Sequence, residues 1–265
     1  MLTDPFVAAS TPDAAVVVAI VVARLLVPLL IPRVPLVIVV VLVLDAADQT
    51  LLATFTAVDT SEAGVYQSVD KALDIYYLSI AYLSTMRNWT SLPAFRIAQF
   101  LFYYRLVGGV LFELTDERLM LLLFPNTFEY FFIAYEVARL RYEPERFSAR
   151  VWLLVAAGLW ICVKLPQEYW IHVAQLDFTD TVRDYPAFGA AVVLALLVAA
   201  AVLVFVVRPR LPPPDRGWRL GADPLPTSLV DAHARFAHRL ESGRVLTKEA
   251  LEQMCLLGLL CVVFA

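Results

Sequence analysis

Cysteine and histidine are scarce: three of each in 265 residues. Cys162, Cys255 and Cys261 lie in apolar runs without metal-ligand spacing, which excludes a disulfide framework and reads as buried, inert thiols. His172, His233 and His238 fall outside the central apolar segments, so haem has no axial ligand there. There is no H-E-x-x-H, which removes zinc hydrolysis of that type, and no Ser or Cys nucleophile has a nearby His. The last long apolar run carries no lysine, which excludes a retinal Schiff base in that position. Basic residues form no stripe and the net charge is −4, so nucleic acid is not an expected partner. The opening residues, MLTDPFVAASTPD, lack the positive region of a secretory signal and lead into a long apolar run, read as a retained first span.

What the chain has in excess is apolar side chains: 60%, against roughly 45–50% in a soluble domain. A membrane-crossing helix needs about 20 mostly apolar residues. Seven segments qualify or nearly so: 14–31, 35–55, 72–86, 97–114, 119–138, 151–163 (short, extending toward 169) and 187–207. A final run, 254–265, is too short to span alone. It reads as an eighth helix starting near Leu251 or as an interfacial segment.

Lys and Arg placement orients the bundle. With the N-terminus outside, the inner side collects Arg33, Arg87, Arg96, Arg139, Arg141, Arg146, Arg150, Arg208, Arg210, Arg216 and Arg219. The outer loops hold Lys71, Arg118, Lys164 and Arg183 among many acids. Residues 169–184 mix aromatic and acidic side chains and suit the outer interface. Residues 209–226, rich in proline, read as an irregular cytoplasmic connector, followed by a short amphipathic helix at about 228–240 that lies on the inner surface or docks a protein partner. Asn88-Trp-Thr90 is a formal glycosylation sequon on the inner side.

The informative feature is ionisable residues at membrane depth, where a charge costs a few kcal/mol or more and normally faces a protein interior. At about 1.5 Å rise per residue, Asp45, Arg105 and Glu129 all fall near the midplane, with Asp48 one turn further out. Asp45 and Asp48 share a helix face. Asn126, Glu129 and Glu136 form one stripe. Gly108 and Gly109 follow Arg105 and permit close helix approach, while Pro125 kinks the fifth span or frees a carbonyl. Three carboxylates facing one guanidinium need protons, water or a cation to balance them. A structural clamp on Arg105 explains the same residues equally well.

A second layer holds Asp70, Asp74 and Tyr77 on one stripe, with Lys71, Tyr76 and Glu113 at similar depth. It reads as an outer vestibule or as plain capping of a helix start. Tyr77, Tyr104 and Tyr135 are the phenols that suit a polar cavity. On the inner side Arg87, Arg96, Arg139 and Arg141 suit anionic lipid or a phosphate headgroup.

The expectation is therefore all-α: a polytopic transmembrane bundle over 1–208 and a cytoplasmic 209–265, in the plasma membrane with lipid as neighbour. Its expected function is binding or translocation of a small polar or ionic solute. Asp45, Asp48, Arg105, Glu129, Asn126, Tyr77, Asp74 and Glu136 form the site, with Arg105 as counter-ion and no cofactor. Two alternatives share these residues. One is an intramembrane enzyme on a lipid or polyprenyl-phosphate, its carboxylates holding a divalent cation. The other is a membrane-anchoring or assembly subunit.

Overall fold

The computed structural model describes residues 11–55, 65–115, 117, 119–170, 178–210 and 212–222. Among these, every regular element is helical. The expected amphipathic helix at 228–240 and the run 254–265 lie outside the described residues, as do the side chains of Asp70, Lys71 and Glu113.

Prolines set where the helices stop. Helix α1 (Thr11–Leu26) tightens at Pro28 into a 3-10 turn, Val27–Leu30, and Pro32 and Pro35 keep the chain turning until α2 (Val37–Phe55) begins. Helix α3 (Val65–Asn88) turns sharply into α4 (Leu92–Thr115), whose Pro93 sits in the first turn, where no N–H is needed. Asn88 closes this turn by donating to the Ser84 hydroxyl at 3.0 Å and to the Pro32 carbonyl at 3.1 Å. It is buried there, so the sequon is not open to a glycan.

The run 119–138 reads as one helix but is two. Helix α5 (Leu119–Leu123) stops, and α6 (Thr127–Arg139) starts after three intervening residues. Proline pushes the preceding residue, Phe124, out of the helical region. Asn126, at φ −74° and ψ 68°, then makes an inverse γ-turn in which Thr127 N–H donates to the Pro125 carbonyl at 2.8 Å.

Helix α7 (Ala149–Leu159) continues through a wide π turn, Trp160–Lys164, into α8 (Leu165–Glu168). Pro166 supplies no N–H to the carbonyl four residues back, and the helix widens rather than breaks. The 20-residue rod Ala149–Glu168 is the one helix, among the described residues, long and apolar enough to cross a membrane. Helix α9 (Phe178–Asp184) leads into α10 (Pro186–Ala201), which widens in the same way at Val202–Val207, ahead of Pro209.

Helix α4 lies at the centre, against α3, α5, α6 and α7, while α1 packs on α2 and α3. Aromatic rings fill the middle: Tyr82 stacks on Phe102 at 4.4 Å, and Trp89 on Tyr135 at 3.7 Å. Such pairs add to area burial by about 0.5–1.5 kcal/mol. Outside, the polarity is reversed. Val18, Val43, Leu154, Ile161, Leu194 and Phe205 are exposed, whereas Arg24, Asp48, Glu129, Glu136 and Arg139 are buried. Cys162, expected inside, is on this apolar exterior.

The connector after Arg210 is irregular, as its prolines require, yet it is fastened. Residues 212–222 form a strap across the end of α6. Asp215 and Arg219 N–H groups donate to the Arg141 and Leu140 carbonyls at 3.0 and 3.2 Å, capping orphan acceptors of the helix end. The Asp215 carboxylate takes the Glu143 N–H at 3.0 Å and Arg146 Nη1 at 2.6 Å. Asp215→Ala removes both side-chain bonds. Because the pair is half in solvent, the expected stability loss is under about 1 kcal/mol. The expected visible effect is faster tryptic cutting after Arg216 and Arg219, followed by mass spectrometry; unchanged cutting rates would show that the strap holds without the Asp215 side chain.

Candidate functional site

Three helices converge on Arg24, a residue that the sequence reading left out. Its guanidinium is 5% exposed and acts as a fork. One arm donates to Asp48 Oδ2, the other to Asp45 Oδ1, and the second arm also reaches Asp74 Oδ1 at 3.2 Å. Asp45 and Asp48 come from one face of α2 and Asp74 from α3. Asp74 is not a helix-start cap: α3 begins at Val65, so Asp74 lies more than two turns inside it. This placement moves Asp74 from the expected outer layer to the central cluster.

Arg105, expected as the counter-ion, forms no ion pair among the described residues, although its charge acts on Glu129. Its Nη1 donates at 3.3 Å to the Phe124 carbonyl, one of the acceptors released by the α5–α6 break. The neighbouring Tyr104 hydroxyl caps the Leu123 carbonyl at 2.8 Å. The broken helix thus frees two backbone acceptors, and α4 satisfies both. Gly108 on α4 makes this possible, because a Cβ there would fall 2.1 Å from Phe124 Cβ. Gly109 faces Ile75 at an ordinary 3.4 Å.

Glu129 sits in the first turn of α6, 3% exposed. Its Oε2 accepts two bonds, from the Tyr77 hydroxyl and from Asn126 Nδ2 at 2.8 Å. Among the described residues its Oε1 accepts none, and no cation stands within ion-pair distance. Asp45 and Glu129 therefore belong to adjacent clusters rather than one. Tyr77 joins them, since the charges of Glu129, Asp74 and Asp45 all act on its phenol. Asn126 Oδ1, also buried, has no partner among the described residues.

Beyond Glu129 the wide turn of α7 carries Lys164 inward. Lys164, expected in an outer loop, is 5% exposed, inside the rod. Its Nζ lies 4.4 Å above the Tyr130 ring and 3.9 Å from Glu168 Oε1. The Tyr130 hydroxyl donates to Gln167 Oε1 at 3.3 Å, which ties α6 to α8. Polar groups thus continue from Arg24 through Tyr77 and Glu129 to Lys164.

Glu136, expected in the same site, belongs elsewhere. Two turns along α6 it accepts from Trp89 Nε1 at 2.8 Å and from Arg139 Nε at 2.6 Å. The Tyr135 hydroxyl accepts the Thr90 N–H beside it. The four arginines expected at a phosphate headgroup are likewise divided. Arg87 and Arg96 are exposed at helix ends. Arg139 is buried on Glu136 and donates to the Gly221 carbonyl at 3.0 Å, and Arg141 lies over the Trp218 ring. Arg139 and Arg141 are thus engaged by the chain's own strap. Tyr76 donates to the Leu25 carbonyl at 3.0 Å, a helix-packing bond.

Among the described residues no group of three or more His, Cys, Asp or Glu is arranged to hold a metal ion. Asp45, Asp48 and Asp74 come closest in number, but a guanidinium stands between them. Arg24 was detectable: it lies ten residues into the run 14–31, about 15 Å deep, at the level computed for Asp45. Compared with protein-family models, with curated proteins and with solved structures, the chain shows no match.

Proposed function

We propose that the chain is a seven-span membrane protein of the plasma membrane, with its N-terminus outside and its tail past Arg208 in the cytoplasm. In this reading it binds or translocates a small polar or ionic solute, coupled to protonation of Glu129 and of the Asp45 cluster. One observation carries it: Glu129 is buried, held on one oxygen by two neutral donors, with the other oxygen open. A carboxylate so placed is costly when ionised and has a free position for a proton. Its location supports the reading too, because discontinuous helices that start inside a bundle commonly form ion and substrate sites in transporters. The apolar exterior around a core that also buries charged side chains supports the membrane setting.

Asp45, Asp48 and Asp74, the carboxylates that a lipid-processing enzyme needs for a hard cation, are turned to Arg24, so that reading gains nothing. The assembly reading has one point in its favour. A guanidinium shared by α2 and α3 fixes the register of α1 against both, which is a structural use of buried charge.

The test is proton flux into proteoliposomes holding a trapped pH dye, driven by a potassium diffusion potential with valinomycin. Glu129→Gln is expected to lower the protein-dependent flux at least about tenfold, the loss typical of a general acid or base taken from its proton-transfer step. Asp45→Asn is expected to lower it less, because Arg24 keeps two other acids. Unchanged flux in both variants favours the assembly role.

A further inference from the structure

Lys164 is a buried ammonium that donates no hydrogen bond to any described residue. Its nearest acid, Glu168 Oε1, is at 3.9 Å, beyond hydrogen-bond reach, and its other support is the Tyr130 ring at 4.4 Å. An ammonium offers three donors and is costly to bury with them unused. The wide turn Trp160–Lys164 aims it inward, and such turns recur at functional sites. Tyr130, on which it rests, is the residue after Glu129, whose Oε1 accepts no bond from a described residue. The charges of both Lys164 and Arg105 act on Glu129. The stem of lysine is flexible and its ammonium rotates freely, so it can exchange partners without backbone movement.

We propose that Lys164 is the counter-ion of ionised Glu129: its ammonium moves from Glu168 to Glu129 Oε1 when that carboxyl gives up its proton, and returns when the proton is regained. The exchange sets the ammonium against the carboxylate that has just become charged; in that state Glu129 and Glu168 are both ionised and compete for the one cation. It makes Lys164 a positioning residue that couples proton release at Glu129 to the rod Ala149–Glu168. The inference rests on the reading that Glu129 titrates. The other groups facing the pair are Tyr77 and Asp74 from α3, Asp45 from α2, Arg105 from α4 and Tyr130 from α6. Arg105 is occupied by the Phe124 carbonyl, Asp45 and Asp74 by Arg24, and Tyr77 already donates to Oε2. Of the two cations acting on Glu129, Lys164 is the one whose side chain makes no hydrogen bond to a described residue.

The test follows labelling of Glu129 by dicyclohexylcarbodiimide, which reacts with protonated carboxyls in apolar surroundings. The full chain in nanodiscs is labelled over about pH 5 to 9, and the Glu129 peptide is read by mass spectrometry. Removing the cation favours the protonated form, so Lys164→Met is expected to raise the labelling midpoint by about one pH unit or more, with Lys164→Arg close to wild type. Glu168→Gln frees the ammonium for Glu129 and is expected to lower the midpoint. That fall is expected to vanish in the Lys164→Met background, because Glu168 acts through Lys164. An unchanged midpoint in Lys164→Met, or a Glu168→Gln effect that persists without the lysine, overturns the exchange while leaving Glu129 as a titrating group. Wild-type Glu129 that never labels overturns both. If Lys164→Met is not recovered folded, Glu168→Gln decides alone, and no change there overturns the proposal.

Discussion

Arg24→Met is expected to cost about 3–5 kcal/mol, the range for breaking a buried ion pair from one side. The substitution keeps an unbranched stem of similar reach, so packing changes little and the loss is electrostatic. Asp48 loses its guanidinium partner in a buried position, and Asp45 and Asp74 lose theirs in a partly buried one. Arg24→Lys is expected to recover only part of this. Two separate arms hold Asp45 and Asp48, and a single ammonium lacks that fork. Arg105→Met is the informative contrast. It forfeits one 3.3 Å bond to a carbonyl, worth about 1 kcal/mol. Thermal midpoints of the purified protein in detergent rank the three. If Arg105→Met proves as damaging as Arg24→Met, the assignment of Arg24 as the central cation is wrong.

That contrast also shows how far the residues speak for themselves. That Asp48 and Glu129 are buried and Asp45 half-buried agrees with the expectation that these acids face other helices. Which cation meets which acid was not legible. Depth fixes one coordinate of a side chain, while pairing depends on how helices rotate about their axes. Arg105 and Arg24 are at similar computed depth, and only the packed bundle turns Arg24 toward α2 and α3. Asp74 was misplaced for a different reason. The polar stretch at the start of α3 looks too hydrophilic for a span, so the helix start was set late, although α3 runs from Val65. Lys164 was hidden by the same habit of ending a span at its first charge. Its inward aim comes from a widened turn that Pro166 imposes two residues later, which hydropathy does not register. The fastening of 212–222 was invisible for lack of periodicity, since its bonds are mostly made by backbone groups.

Gly108→Ala and Gly109→Ala are expected to act with opposite signs. Both replace glycine in the interior of α4, where alanine is favoured by about 1 kcal/mol on backbone grounds. At Gly109 the new methyl meets Ile75 Cδ1 at 3.4 Å, a flexible tip at ordinary contact, so the expected result is neutral to stabilising. At Gly108 it meets Phe124 Cβ at 2.1 Å and Cγ at 2.7 Å. No rotamer of Phe124 relieves a clash with its own Cβ, so the backbone of the α5–α6 break has to retreat. Overpacking of this kind costs about 1–3 kcal/mol, enough to outweigh the helix gain. Retreat of Phe124 also stretches the 3.3 Å bond from Arg105 and shifts Asn126, the residue that holds Glu129. Gly108→Ala is therefore expected to lower the thermal midpoint and, in the protein that remains folded, to reduce the proton flux proposed to pass through Glu129. Equal behaviour of the two variants would mean that the break does not rest on α4 at Gly108, and the close approach that positions Glu129 would lose its basis.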